Sequence, residues 1–507
     1  MPDAIDRIDT PNPEYTAMQS SWPLINDLMG GTPAMRDSSS TWLPREEGEE
    51  SKPYNARVAR SVLFNAYRNA VVDLALRPVA KPVSITNEDQ LPEQLRLISE
   101  SVDDEQRNMT QFVFELLRIG QMRGLVHILV DYPRETASEI DLKSQRELGI
   151  KPLFIIIDPQ DLVAWQYEKA PSGAKRLTEI RIRETALVPK GQFGTALQER
   201  IRVIRTDHWE VWAKDEDGDE YELIDTGPYT LGEIGLATIY FNKTGFMTGT
   251  SPLEDMAWLN LAHFQSQSDH RNNLRFARSG IIFAKGLSPD DVKKQIVWGL
   301  SHEFKTTADN ADMKIVEHSG KAIEAGENEL RHLEEQMEAM GKKPLIMRRW
   351  GNKTAMTSAI EEGKSQCELQ AWVRAVEAGV KRAYELGGLW IGKPLPEEFG
   401  VDVFDDFGML AGTDIGMEHL FKTWQAGGLS LESYLELMKA RGELPANFDI
   451  AQELDRIARE GPTATDLRML AGMDEDEETD GRNQQSAPRS ESRAGKKVAV
   501  ASAGADR

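Results

Sequence analysis

Apolar residues recur every three or four positions in two early stretches of the chain, residues 54–77 and 108–120. This spacing predicts two amphipathic helices, the first of which ends at Pro78. The residues before them are rich in proline, glycine and serine. We therefore expect the chain to begin with an irregular arm around short helices.

After Gly124 the apolar residues no longer follow the spacing of a helix. The runs LVHILVDYP and LFIIIDP are rich in β-branched residues and end in turn residues, which predicts two buried strands. The later stretches RIRET, IRVIRTDHWEVWA and EYELID alternate apolar and polar residues as antiparallel strands do, with a hairpin signal at Asp217-Gly218. His127 lies inside the first run, and we expect a core histidine because no second ligand follows at metal spacing.

Helical spacing returns near residue 250. Ser251, Pro252 and Glu254 form a capping-box pattern that predicts the start of a helix, and nothing breaks this helix before Gly280. A second long helix is predicted over residues 327–340. The insert between them holds a strand-like IIFA, a helix opened by Ser288 and the segment MKIVEH.

The remaining pattern is mostly helical. Residues 354–386 predict a long helix interrupted at Gly363 and Gly379, and VDVFDDFG predicts one more strand. Residues 417–460 predict three short helices, and the tail beyond them has too little apolar content to order itself. Helices and antiparallel strands thus occupy separate stretches, and we predict an α+β fold.

The composition limits the classes of function that we expect for this protein. At 507 residues the chain exceeds one hydrophobic core, so we expect several domains. A net charge of -23 argues against wrapping nucleic acid, although an acidic wall can enclose DNA without adhering to it. With no bilayer-length apolar run and no signal peptide at the N-terminus, we expect a cytoplasmic protein that needs no membrane. The single cysteine, Cys367, excludes an intrachain disulfide and predicts a buried thiol.

The motifs of common catalytic sites are missing. Gly363-Lys364-Ser365 and two similar stretches match only half of a phosphate loop, and HExxH, GxSxG and CxxC do not occur. An EF-hand loop starting at Asp215 needs glycine where Glu220 stands. Asp405-Asp406, flanked by phenylalanines, is predicted to be the polar face of a strand end. We predict no catalytic residue, no cofactor and no metal, and therefore a protein that is not an enzyme.

One basic stretch departs from the acidic background. Residues 342–353 carry five cations and no acid, directly after the second long helix. One interpretation is a solvated turn whose cations pair with acidic neighbours, and the other is a surface that contacts phosphates. The five cations are Lys342, Lys343, Arg348, Arg349 and Lys353.

The order of these parts resembles the bacteriophage portal fold, and in particular a portal-like phage family long known only as a domain of unknown function. The resemblance covers most of the chain up to about residue 460. It rests on residues 15–28 with Trp22, the Trp42-Leu43-Pro44 turn, Tyr54-Asn55-Ala56-Arg57, and Thr250-Ser251-Pro252-Leu253 leading into Leu259-Asn260-Leu261-Ala262-His263.

The resemblance implies a division of the chain into named parts. Residues 1–250 resemble a mixed α/β wing, 251–278 and 323–341 two stem helices, 279–322 a small α/β clip, and 342–353 a tunnel loop. Residues 354–412 then return to the wing as a long helix and a strand. Residues 413–461 resemble a short helical crown, and 462–507 are a disordered tail.

The resemblance also implies partners. Portals are rings, here expected to hold twelve subunits, that form in the host cytoplasm and occupy one capsid vertex of the virion. The clip meets the terminase large subunit and later the head-to-tail adaptors, and capsid and scaffolding proteins surround the ring. Double-stranded DNA passes through without sequence specificity, and the tunnel loop would face it. ATP hydrolysis belongs to the terminase.

Lys293, Lys294 and Trp298 are the candidate partner surface of the clip. The alternative is that Trp298 packs inside the clip or between subunits, since large aromatic side chains are mostly buried. Two other functions remain open for the whole chain: another phage structural protein, such as an adaptor or minor head protein, and an acidic intracellular enzyme with a divergent active site.

Overall fold

The structure is a computed structural model that describes residues 7–103, 105–133, 150–214, 220–279, 281–285, 310, 312–316, 321–341, 355–405, 414–440, 444 and 448–460. The chain forms two compact units, Met1–Met409 and Leu410–Arg507. Both helices and antiparallel sheets are present, so the α+β class is confirmed. In the described part of the chain, no helix is both apolar enough and long enough to span a bilayer.

Thirteen helices of the described residues are numbered here in chain order. They are α1 Pro13–Met18, α2 Trp22–Asp37, α3 Ser39–Trp42, α4 Ser51–Arg60, α5 Ala66–Leu76, α6 Glu93–Glu100, α7 Met109–Arg123, α8 Glu254–Ser279, α9 Lys321–Gly341, α10 Ala355–Trp390, α11 Asp414–Gln425, α12 Leu431–Ala440 and α13 Ile450–Glu460.

The strands are β1 Ser84–Thr86, β2 Leu125–Asp131, β3 Leu153–Ile157, β4 Leu162–Lys169, β5 Lys175–Lys190, β6 Gly194–Arg205, β7 His208–Lys214, β8 Tyr221–Pro228, β9 Leu236–Tyr240, β10 Lys243–Gly245, β11 Thr248–Gly249, β12 Ile281–Lys285, β13 Asp312–Val316 and β14 Gly400–Asp402. They form a sheet in the order β3-β2-β9, a meander from β4 to β8, and three strand pairs, β1-β14, β10-β11 and β12-β13.

The two predicted apolar strands, β2 and β3, lie at the centre of the larger unit. They pair antiparallel, with His127 opposite Ile157, and β9 pairs with the other edge of β2. Val126 and Ile128 pack on one face of β2 against the helices, while Leu125 and Leu129 pack on the other against the meander. Because both faces are covered, β2 carries apolar residues on both sides instead of alternating apolar and polar residues.

The predicted antiparallel strands are confirmed as β5 to β8, whereas β4 was not predicted and one turn did not show in the pattern. The stretch IRVIRTDHWEVWA forms two strands, β6 and β7, because the chain bends at Thr206 and Asp207. β7 pairs antiparallel with β8, and the predicted Asp217-Gly218 hairpin turn between them lies outside the described residues.

The helix predicted over residues 54–77 is wrong as one element. The structure has α4 and α5, separated by residues 61–65. Asn65 starts α5, since its side chain accepts the backbone N–H of Arg68. The N-terminal arm is also more helical than predicted, with α1, α2 and α3 before residue 43 and a kink in α2 at Gly31, whose φ is +77°. The helix predicted over residues 108–120 is confirmed as α7, capped by Asn108.

The long helix predicted over residues 354–386 is confirmed as α10, but the predicted interruptions at Gly363 and Gly379 are wrong. α10 is continuous through both glycines and crosses the β9 strand. A Cβ at Gly379 would lie 2.2 Å from Cγ1 of Ile239, so this glycine permits the close approach of helix to strand. Gly363 is therefore mid-helix, as expected for a segment that is not a phosphate loop.

The second unit contains the three predicted short helices, α11, α12 and α13. Trp424 stacks on Tyr434 with ring centroids 5.2 Å apart, which joins α11 to α12. None of the side chains whose burial is described in this unit is buried. The C-terminal tail beyond residue 460, predicted to be disordered, lies outside the described residues.

Candidate functional site

The two long helices α8 and α9 form an antiparallel pair, and the strand pair β12-β13 follows at its far end. At 1.5 Å per residue α8 is about 39 Å long. The predicted end of α8 before Gly280 is confirmed, and the helix begins at Glu254, three residues after the predicted N-cap Ser251. Ser251 Oγ accepts the N–H of Leu253 over 3.1 Å and donates to the carbonyl of Gln121 over 2.7 Å, so the cap also anchors the helix to α7.

The near half of this pair, where α8 begins and α9 ends, is buried in the main hydrophobic core. Met256 and Phe264 of α8 are each 1 % exposed, and Met337 of α9 is fully buried. A Cβ at Gly341 would lie 3.0 Å from Met256, so the two helices touch closely where α9 ends. The basic stretch that follows Gly341 therefore starts from a fixed point at the core end of the pair.

The far half of the pair has little cover within the chain. In α9 the buried residues are Met337 and Gly341, both in its last turn and a half. All described positions from Lys321 to Gln336 are exposed or half-exposed. A long helix that is mostly uncovered requires stabilisation from outside its own chain or from many side-chain pairs.

Polar side chains line the contact between the two helices. His263 is 1 % exposed, and its Nε2 lies 3.6 Å from Oε1 of Glu334. Burial lowers the pKa of His263, and the Glu334 carboxylate opposes that shift. Further along, Ser266 donates to Glu329 over 3.1 Å, and a Cβ at Gly326 would meet Nδ1 of His270 at 2.6 Å. Polar contacts therefore join the two helices beyond the point where their apolar contacts end.

The N-terminal region is pinned to α8 by hydrogen bonds. Asn260 bonds to the backbone of Phe64 and Tyr67, where α5 begins. Gln265 donates to the carbonyl of Trp42 over 2.9 Å, and the side-chain oxygens of Ser268 and Ser61 lie 2.9 Å apart. Arg57 donates to Glu49 and to the carbonyl of Pro44. Several segments that carry the resemblance to portals thus meet along one face of α8.

A basic cleft lies where α4 ends beside α8. It encloses about 620 Å³. Sequence analysis missed it, because its arginines come from two segments some two hundred residues apart. The signal that was visible in the sequence is the spacing of Arg271, Arg275 and Arg278 along α8. The four arginines that line the cleft are Arg57, Arg60, Arg271 and Arg275.

The candidate residues chosen from the sequence all lie outside the described residues. This holds for the basic residues Lys342, Lys343, Arg348, Arg349 and Lys353, and for Lys293, Lys294 and Trp298 of the insert. The structure describes their flanks: α9 ends at Gly341 and α10 begins at Ala355, while β12 ends at Lys285 and β13 begins at Asp312.

The expected core histidine is confirmed. His127 is 1 % exposed, its Nδ1 lies 3.0 Å from Oγ1 of Thr238, and burial lowers its pKa to about 3. Among the residues that the structure describes, no three His, Cys, Asp or Glu side chains are grouped so as to hold a metal ion. The backbone carbonyl of Asp405 accepts a hydrogen bond from Gln370, whereas Asp406, the side chain of Cys367 and the acidic run 215–219 lie outside the described part.

Comparisons with known proteins give one family and several solved structures. The sequence profile of the family described as "Domain of unknown function (DUF4055)" matches residues 252–391, which include α8, β12, β13, α9 and α10. No curated protein matches the chain.

Solved structures to which the chain is similar include neck and virion components of gene transfer agent particles. A chain from the neck of an empty GTA particle computed with C6 symmetry is 13% identical, over 82% of this chain and 99% of that chain, with a TM-score of 0.40. A chain from the virion of a native gene transfer agent particle is 14% identical, over 74% and 89%, with a TM-score of 0.37. A chain from the neck of a native GTA particle computed with C12 symmetry is 12% identical, over 73% and 88%, with a TM-score of 0.35.

Proposed function

We propose that this protein is the subunit of a phage portal, a ring at one capsid vertex through which double-stranded DNA is packaged and ejected. The observation that carries the proposal is the antiparallel pair of α8 and α9. Its near half is buried in the core, whereas the far half of α9 has no buried residue, and the pair ends in the strands β12 and β13. Side-by-side association of such pairs around an axis would cover the far halves and form a channel wall.

In this proposal the parts have separate tasks. Residues 1–250 and 354–412 form the wing, 251–278 and 323–341 the stem, 279–322 the clip, 342–353 the tunnel loop and 413–461 the crown. The clip docks the terminase large subunit during packaging and the head-to-tail adaptors afterwards. In this proposal the protein is not an enzyme, and the ring of twelve copies sits in the virion after assembly in the host cytoplasm.

The charge of the chain suits a channel through which DNA slides. Each phosphate that a protein neutralises adds salt-dependent affinity, so a wholly basic wall would retain the duplex. With -23 per subunit a ring of such chains is acidic overall, and the basic residues of the stretch 342–353 are confined to one short segment of the sequence. The same charge makes copies repel one another, so the subunit contacts must pair charges or bury apolar surface.

Particle size and shape test this function directly. Light scattering on the purified protein should give a mass many times 56.9 kDa, and negative-stain images should show rings with a central hole. Gold-labelled antibody against the chain should bind at a single vertex of the virion. A monomer that persists across protein and salt concentrations, with label absent from virions, would contradict the proposal.

A further inference from the structure

Three of the four arginines in the cleft between α4 and α8 lack an acidic partner among the described residues. Arg57 is neutralised, since its Nη2 lies 2.8 Å from Oε2 of Glu49. Arg60, Arg271 and Arg275 are exposed at the cleft, and no described carboxylate lies within ion-pair distance of them. The cleft therefore has an excess of positive charge on a protein whose net charge is -23.

These three arginines come together from two helices. Arg60 ends α4, whereas Arg271 and Arg275 are four residues apart on α8, which makes them neighbours on one face of that helix. Nη1 of Arg271 donates to the backbone carbonyl of Arg60 over 3.4 Å, which holds this guanidinium over the end of α4. Like charges in one cleft repel one another, so the arrangement favours an anion that lies between them.

The cleft is open on the side of α8 that α9 does not cover. His263 and His270 face α9, whereas Ser268 faces the cleft and contacts Ser61. At 3.6 residues per turn, Ser268 is about 150° around the helix from both histidines, and Arg275 lies on the same side as Ser268. An open cleft suits a polymer that passes along the surface, whereas a small-molecule site encloses most of its ligand.

The arginines are the groups that would meet a ligand here. Ser61 donates its hydroxyl proton to the carbonyl of Arg57 over 2.9 Å, and the Ser268 hydroxyl is used in the contact with Ser61. Asp269 of α8 does not line the cleft, and its Oδ1 lies 3.9 Å from Nη1 of Arg57 instead. The floor of the cleft therefore adds no charge, and its hydroxyl protons are already engaged.

Phosphate groups match these donors. A guanidinium is planar and can donate two parallel N–H bonds to the oxygens of one phosphate, which makes arginine a common residue of nucleic-acid recognition. Several arginines along an open cleft suit a backbone that carries a phosphate at every nucleotide. Phosphate contacts position such a backbone and carry no sequence information.

We propose that Arg60, Arg271 and Arg275 form a site that binds the backbone phosphates of double-stranded DNA, without sequence specificity. The inference rests on the proposed function for its choice of DNA as the polyanion, and it adds a contact on α4 and α8 that is separate from the basic stretch 342–353. The cleft is one local site on an acidic chain, so it would hold DNA at a few phosphates only.

The salt dependence of DNA binding tests the site. Fluorescence anisotropy of a short labelled duplex gives the affinity of the purified protein between about 50 and about 200 mM salt. Arg271→Gln with Arg275→Gln should weaken binding by about tenfold or more at about 0.1 M salt, because two phosphate contacts are lost. The slope of log affinity against log salt should decrease by about 2 for the same reason.

Two further variants separate charge from folding. Arg68→Gln with Arg96→Gln removes two exposed arginines outside the cleft and should bind like the wild type. Arg271→Lys with Arg275→Lys keeps the charge but loses the planar fork, so it should keep the wild-type slope and bind more tightly than the glutamine variant. All variants should keep the wild-type circular dichroism spectrum and melting temperature.

Four outcomes would overturn the site. The first is a glutamine variant that binds the duplex like the control, and the second is a weaker affinity with an unchanged salt slope. In the third, inorganic phosphate at millimolar concentration and constant ionic strength displaces the duplex from the wild type, which would make the ligand free phosphate. In the fourth, polyglutamate binds the wild type more tightly than the duplex and the glutamine variant loses that binding, which would make the ligand an acidic protein segment.

Light scattering on the same samples keeps this inference apart from the proposed function. If the wild type forms rings and the glutamine variant binds the duplex normally, the inference is wrong and the portal proposal stands. If the glutamine variant no longer forms rings, the cleft belongs to a contact between copies and the inference is wrong. A wild type that binds the duplex through the cleft but never forms rings overturns the portal proposal and leaves the DNA site.

Discussion

Asn260 accepts a hydrogen bond from the backbone N–H of Tyr67, with its Oδ1 2.9 Å from that nitrogen. The same side chain donates to the carbonyl of Phe64 over 2.8 Å, and Asn260 is fully buried. One amide on α8 therefore satisfies both backbone groups at the point where α5 begins. This contact joins the candidate stem helix to the N-terminal helices.

Replacing Asn260 with leucine should destabilise the protein by about 2–4 kcal/mol, because a buried N–H and a buried carbonyl both lose their partner. Chemical denaturation followed by tryptophan fluorescence measures the loss. The matched control is Asn273→Leu, an exposed asparagine on the same helix, which should change stability by less than about 0.5 kcal/mol. Equal stability of the two variants would show that the Asn260 contact contributes nothing.

His127 should make the protein less stable in acid. Burial lowers its pKa to about 3, so the folded chain leaves it neutral, whereas the unfolded chain protonates it near the ordinary value of about 6.5. Its contribution to stability is therefore present above about pH 6.5 and falls by about 1.4 kcal/mol per unit as pH decreases from there towards about 3.

The variant His127→Phe isolates this effect from the other titrating groups. Its melting temperature should decrease less than that of the wild type between about pH 7.5 and about pH 5.5, because no proton binds at this position in the unfolded chain. Scanning fluorimetry at several pH values gives the comparison. Parallel decreases in the two proteins would show that His127 does not titrate differently on unfolding.

The basic stretch 342–353 should act on DNA without acting on assembly. Arg348→Glu with Arg349→Glu should leave the ring intact and reduce the packaging rate or the retention of packaged DNA, since fewer phosphates are contacted. Packaging assays at low and high salt measure the effect, which should shrink as salt rises. Normal packaging and retention of full-length genomes at both salt concentrations would assign these arginines to a solvated turn.

The insert should act on the terminase. Lys293→Glu with Lys294→Glu should spare ring assembly and weaken docking of the terminase large subunit, because the charge of the proposed surface is reversed. Pull-down of terminase by the purified ring, with Trp298→Ala as a second variant, measures docking. If the lysine reversal docks normally and Trp298→Ala disrupts the ring, Trp298 packs within the clip or between subunits.

The local pattern of the sequence was enough to predict most elements. Alternation of apolar and polar residues predicted the strands β5 to β8, and two apolar runs predicted β2 and β3, because a strand's period reports directly which faces are covered. The strand β4 was not predicted. Period 3.6 predicted α8, α9 and α10 and the three helices of the second unit. These predictions succeeded because each depends on residues within one element.

Only the tertiary structure decided where helices break and where charges gather. Residues 54–77 have a continuous helical pattern, yet the helix is interrupted at residues 61–65. There Asn260, some two hundred residues away, bonds to the backbone of Phe64 and Tyr67. Gly379 was predicted to interrupt α10, but the helix continues, and the absent side chain leaves room for Ile239 of β9. The arginine cleft exists only because Arg57 and Arg60 on α4 meet Arg271 and Arg275 on α8. A periodic pattern shows which side of a helix or strand is covered. Which distant element covers that side is decided by packing, and each of these three features depends on that choice.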